Sequence, residues 1–181
     1  MNYYIADMHF GHENVIHFDN RPFANAVEMD KCLISYWNLR VTKNDTVYIL
    51  GDVFWKDEER SIKIIRQLKG HKILIKGNHD RVSPQLKEYY DEILDYTEIH
   101  DNNHFVVLSH YPMIFYKNQH RGAVMLYGHV HNSTEWDMIE KWKQEQLSAG
   151  IPCKLINVGC MMSYMNYMPR TLEEILSSAD C

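Results

Sequence analysis

The chain has 181 residues, 45% hydrophobic and 24% charged, with a formal net charge of −5 at pH 7. That length suits one domain over residues 1–181 with a buried core, and no apolar run approaches the ~20 residues of a membrane span. The acidic balance argues against a protein whose main task is stable nucleic-acid binding. MNYYIADMHF has no basic segment leading into an apolar one, so no secretory signal is read and a cytoplasmic location is expected. Cys32, Cys153, Cys160 and Cys181 form no CxxC pair and read as reduced thiols.

In chain order, a strand is expected over Tyr3 to Ala6, running into Asp7-Met8-His9, then a helix over Ala26 to Arg40. The next strand, Thr46 to Leu50, ends in Gly51-Asp52. A helix over Asp57 to Lys69 follows, its basic ridge of Arg60, Lys63, Arg66 and Lys69 reading as a solvated face. Lys72 to Lys76 is a strand ending in Gly77-Asn78-His79-Asp80, followed by a helix over Pro84 to Tyr90. Strands at His104 to Leu108 and Val124 to Tyr127 run into Ser109-His110 and Gly128-His129-Val130-His131. Glu135 to Leu147 reads as a helix within a 132–150 excursion, either a surface helix or a flap. Lys154 to Val158 is a last strand and Thr171 to Ser178 a last helix. This alternation favours an α/β fold.

Five strand ends therefore carry polar residues able to bind metal, in a chain with 11 histidines. In open α/β sheets ligands gather beyond the carboxyl ends of the strands, so the five stretches are expected to converge. Each piece alone is weak. Gly51, Gly77 and Gly128 stand where a sharp turn or close backbone approach is easiest without a side chain.

The ordered set Asp7-x-His9, Gly51-Asp52, Gly77-Asn78-His79-Asp80, His110 and Gly128-His129-x-His131 resembles the calcineurin-like metallophosphoesterase superfamily. DMHFGHENVIHFDNRPF looks like its small stand-alone bacterial and phage members. The resemblance implies a four-layer α/β/β/α sandwich, two sheets flanked by helices, with two divalent metal ions of the Mn, Fe, Ni, Co or Zn type. It implies that Asp7, His9 and His131 hold one metal and that Asn78, His110 and His129 hold the other, with Asp52 bridging. His79 matches the catalytic histidine, with Asp80 as its orienter. One departure is Trp55, three residues after Asp52, where the family often has an acidic residue; support for a ligand histidine would then come from elsewhere, such as Asp57.

Two cations clamp phosphoryl oxygens and bring the pKa of a bridging water from ~15.7 towards ~7. The resemblance thus implies a phosphodiesterase acting by metal-bridging hydroxide, with His79 as general acid. A phosphatase acting on small phosphorylated metabolites and a non-catalytic metal-bound scaffold are the alternatives. Phosphodiesters are favoured because the sequence shows no large cap. The expected partner is a small phosphoester or nucleotide, with no membrane; a homodimer is left open. His12, Arg21, Arg81 and Tyr111 are candidate substrate contacts, Arg21 reading equally well as half of an ion pair. Phe10, Trp55 and Tyr111 read as base-stacking or packing aromatics.

Overall fold

The computed structural model describes residues 1–179, so Cys181 lies outside the described residues. Two four-stranded sheets form the centre. The first runs β1 (Asn2–Ile5), β2 (Thr46–Ile49), β3 (His71–Ile75), β4 (Glu92–Leu94), parallel throughout. The second runs β5 (Tyr96–Asp101), β6 (His104–Ser109), β7 (Val124–Tyr127), β8 (Lys154–Asn157), with β5 antiparallel to β6 and the rest parallel. The helices are α1 (Glu13–Phe18), α2 (Ala26–Arg40), α3 (Glu58–Ile65), α4 (Pro84–Lys87), α5 (Thr134–Ser148) and α6 (Leu172–Ala179). The expected α/β fold of two sheets flanked by helices is what forms. No helix among the described residues is long and apolar enough to cross a membrane.

The layering follows from the period-two alternation of strand side chains. Val106, Leu108, Val124, Leu126 and Ile156 share one core with the first sheet, whereas Val107, Met125, Tyr127 and Leu155 pack against Trp136, Ile139 and Trp142 around α5. Residues 132–150 are therefore mostly a helix that closes the outer face of the second sheet. Trp37, 1% exposed, anchors α2 on the other side, its indole N–H donating to the Lys69 carbonyl.

β4, β5 and α1 were not expected. β4 is three residues long and β5 alternates polar residues along a half-exposed edge, so neither makes a long apolar run. α1 has six residues and is capped by His12, whose ring nitrogen is an uncommon cap acceptor. Two expected helices stop early. After α3, Gln67 and Leu68 N–H groups bond three residues back before the chain turns at Gly70, and after α4 Tyr89 and Tyr90 do the same.

Candidate metal centre

The two sheets meet at the carboxyl ends of β1 and β8. Ala6 N–H donates to Val158 and Cys160 N–H donates back to Ala6, forming a parallel bridge between residues 6 and 159. The loops after β1 and β2 are also joined: Asp7 N–H donates to Gly51, His9 to Asp52, Phe10 to Val53 and Trp55 to Phe10. On the other sheet, Gly128 N–H donates to the His110 carbonyl. These contacts draw five strand ends to one place.

Two glycines make the approach possible. At Gly51, with φ +85°, a Cβ would lie 2.3 Å from His110 Nδ1; at Gly77 it would lie 2.4 Å from Asp52 Oδ1. Strain concentrates at the same spot. The non-glycine residues with positive φ among those described include Asp7, His9, Asp52, His129 and His131, at 49° to 73°. Four of the others are Asn, which tolerates that region. Such conformations persist when the surroundings over-determine them, and they collect at functional sites.

Asp7, His9, Asp52, Asn78, His110, His129 and His131 come together. One group, Asp7, His9 and His131, and a second, Asp7, Asp52 and His110, each place their ligand atoms within 4.8 Å of one another. His9 Nε2 lies 3.2 Å from His131 Nε2. Asp52 Oδ2 lies 3.6 Å from His9 Nε2 and 3.7 Å from His110 Nε2, between the two groups. Asn78 Oδ1 faces His110 Nε2 and His129 Nδ1, both at 3.0 Å.

These contacts suit cations better than hydrogen bonds. His110 Nδ1 donates to the Leu50 carbonyl at 2.8 Å, so Nε2 of the neutral ring is a bare lone pair turned towards the bare Asn78 oxygen. With donors ~2.0–2.2 Å from a cation, the separations of 3.0 to 3.7 Å correspond to angles of about 90° to 120° at the ion. The carboxylate, imidazole and amide donors without thiolate fit a transition-metal ion.

Burial sets the electrostatics. It pushes the Asp7 carboxyl up to about 6 and holds the His9 imidazole well below its ordinary value, and His9 Nδ1 is buried without a hydrogen-bond partner. Burial would also lower His131, but its hydrogen bond to Asp19 and the charges of Asp7 and Asp19 prevail and raise it. His129 is lowered, chiefly by burial.

The support for His131 comes from Asp19, which sequence reasoning missed. Asp19 Oδ1 lies 2.8 Å from His131 Nδ1, fixing the ring so that Nε2 faces His9. Asp57, the position suggested for such support, instead caps α3 by accepting from Arg60 N–H. Asp19 stands twelve residues after Asp7 in a loop, with no spacing signal to mark it.

Several expected substrate contacts fall elsewhere. Arg21 does not face a substrate: its side chain is 0% exposed, pairs with Asp19 at 2.7 Å and donates to the Asp7 and Met8 carbonyls, so the ion-pair reading is the one that holds. Asp80 does not orient the His79 ring. Its oxygens accept the N–H groups of Asp52, Gly77 and Val53 at 2.8 to 2.9 Å, tying the β2 and β3 loops together. His12 Nδ1 is taken up by Val15 N–H as the cap of α1. Tyr111 is exposed, with its ring 4.4 Å from that of His129, while Phe10 is buried. His79 is exposed, its N–H donates to Asp52 Oδ1 at 2.9 Å, and its ring lies 5.8 Å from His9 and 5.2 Å from Trp55. Beside it opens a cavity of about 440 Å³, with Arg81 on its wall.

The fold and donor set define an α/β protein with a carboxylate–imidazole cluster at the joined edges of two sheets. The chain belongs to the same family as the uncharacterized protein MJ1445 of Methanocaldococcus jannaschii, with 31% identity over 178 residues, 96% of this chain and 88% of that one. It is also similar to the solved protein of unknown function AQ665 from Aquifex aeolicus, with 29% identity, 98% of each chain covered and a TM-score of 0.72. Looser overlaps are with Pseudomonas putida nuclease MPE (20% identity, 72% of this chain, 61% of that one, TM-score 0.47) and the E. coli phosphoesterase Yfce (17%, 72%, 69%, TM-score 0.39), too loose to bear on function. No family model matches the chain.

Proposed function

We propose that the protein is a metal-dependent phosphoesterase with two divalent ions, acting on phosphodiesters. The observation that carries this reading is the placement of Asp52 Oδ2 at 3.6 and 3.7 Å from imidazoles of two different groups, as a shared ligand requires. Asp7, His9 and His131 would hold one ion and Asn78, His110 and His129 the other. Bound there, the ions would supply charge stabilisation of the phosphoryl oxygens and a lowered pKa for water. With Asp7 and Asp52 as the only carboxylates among these ligands, the loaded site keeps a formal excess of positive charge and attracts anions.

The protein groups have separable tasks. Asp19 holds His131 in the tautomer that presents Nε2. Leu50 carbonyl does the same for His110. Asp80 locks the Asp52 and Asn78 loops in register through backbone amides. His79, exposed at the rim, protonates the leaving oxygen as imidazolium. Asn78, His79 and Tyr111 are exposed, so the site is open enough to admit an extended ester, which favours diesters over monoesters.

The test is a metal-by-substrate matrix on chelated and reconstituted protein, comparing bis-p-nitrophenyl phosphate, p-nitrophenyl phosphate and 2′,3′- and 3′,5′-cyclic nucleotides. Diesters are expected to exceed the monoester by about 100-fold in kcat/KM, a ratio worth about 2.7 kcal/mol of transition-state stabilisation. The opposite preference identifies a phosphatase. No turnover with metal bound leaves a non-catalytic scaffold.

A further inference from the structure

We propose that the 440 Å³ cavity beside His79 is the leaving-group pocket, and that it takes an alcohol combining a ring-sized apolar body with a further anionic group, as in a phosphorylated nucleoside. This rests on the phosphoesterase reading for its chemistry. In an in-line displacement the leaving oxygen departs opposite the attacking one. The group protonated by His79 must therefore lie on the His79 side of the phosphorus. The cavity begins at Asn78 and His79 and extends away from the metal ligands towards α3 and α4.

Its lining divides into two parts. Phe54, Leu86 and Tyr90, each at most 8% exposed, offer an apolar floor, with Val82 beside them. The volume lies at the lower end of the ~300–1,000 Å³ range of small-ligand pockets, enough for a ring and its substituent. Above the floor stand Lys56 and Arg81, both exposed. Neither is paired with a carboxylate among the described residues, whereas the neighbouring Arg60 and Lys63 have Asp30 and Glu59. Of the lining carboxylates, Asp80 is covered by three backbone amides, which leaves Glu58 as the one opposed to these two cations.

Lys56 is also held in place at a cost. It has φ +50°, and Asp57 N–H donates to the Trp55 carbonyl across it at 2.6 Å, a tight three-residue turn of the strained kind. An exposed lysine has no packing need for that conformation. The turn sets Lys56 Nζ 4.6 Å from the Trp55 ring centre, and His12 meets the same indole edge-on at 3.8 Å. Trp55 thus forms a fixed wall and carries the ammonium, instead of offering a face for base stacking.

The probes are thymidylyl-thymidine and the same dinucleotide with one additional phosphate at its 5′ or its 3′ end, assayed on metal-loaded protein. The form whose extra phosphate lies on the leaving half is expected to show kcat/KM about tenfold above the parent, as one well-placed charged contact gives. In the Lys56→Gln/Arg81→Gln double variant that ratio is expected to fall to about one. Both residues are exposed, so the fold should survive, and an unchanged thermal midpoint checks this. Equal rates for all three dinucleotides in the wild type, or an advantage that persists in the double variant, overturns the proposal. Calorimetry on chelated protein gives a readout apart from turnover: thymidine 3′,5′-bisphosphate should bind more tightly than thymidine, and the double variant should abolish the difference. If no phosphodiester is cleaved, the phosphodiesterase reading fails and calorimetry alone decides the pocket. Equal binding of bisphosphate and thymidine then rejects it.

Discussion

On one side of Asp52, Asp7 and His9 are buried and His131 is braced by Asp19, itself locked to a buried Arg21. On the other side Asn78 is exposed, His129 is half-buried beneath an exposed Tyr111, and the cavity opens next to them. The first group is rigid, and reorganising it would break buried hydrogen bonds. The second group is reached from outside at Asn78 and His129, while its His110 is buried and held by the Leu50 carbonyl. On the proposed reading, such a centre would retain one ion more firmly and meet substrate at the other.

The largest expected effect comes from removing the carboxylate proposed to serve both ions. Asp52→Asn should strip the site of its paired ions, read as metal content after gel filtration, and lower diester turnover by about 10³-fold or more. Gly77→Ala should act in the same direction without replacing a ligand, because its Cβ would displace Asp52 Oδ1. Retention of both ions in Asp52→Asn would remove the carboxylate from the bridging role.

His79→Ala tests the open side. It should keep its metals and lose about 10²–10⁴-fold on alkyl esters, with a smaller loss on p-nitrophenyl esters, whose leaving group needs no proton. Equal losses on both would take His79 out of the acid role.

Asp19→Asn tests the buried side. Metal affinity should fall about 10–100-fold for one ion and hold for the other, seen as a split in a two-site titration. The change also leaves Arg21 without its carboxylate, so thermal stability should drop as well. A uniform loss at both sites would erase the distinction between the halves.

The last effect is on stability, in the pH response of the metal-free protein. Burial holds the Asp7 carboxyl at about 6, above its ordinary 3.8, so the folded state binds this proton more tightly than the unfolded chain. Asp7 therefore costs stability as pH rises from about 4 through 6, a loss of roughly 2–4 kcal/mol. Denaturant unfolding at pH 4.5 and 7 in chelator, compared with Asp7→Asn, isolates it. Metal should reverse the trend, because binding requires the deprotonated carboxylate. An identical pH slope in the variant would assign the effect to other groups.

The alternation of strand and helix patterns and the run of Asp, Asn and His at strand ends are local features, so the α/β class and the ligand candidates could be read from residue order alone. Arg21, Asp80 and Trp55 show where that reading stops. A guanidinium that can meet phosphate and one that is locked to Asp19 under two carbonyls have the same sequence neighbours; only packing decides which atoms water still reaches. Asp80 stands beside His79 in sequence, yet its oxygens go to amides on two loops, a choice made by the approach of β2 to β3. The brace from Asp19 to His131 spans 112 positions and the short edge strands β4 and β5 have little apolar pattern, so both depend on tertiary assembly. Composition and periodicity specify which surfaces must be buried, whereas hydrogen-bond partners and cavities depend on distances that exist only once those surfaces have met.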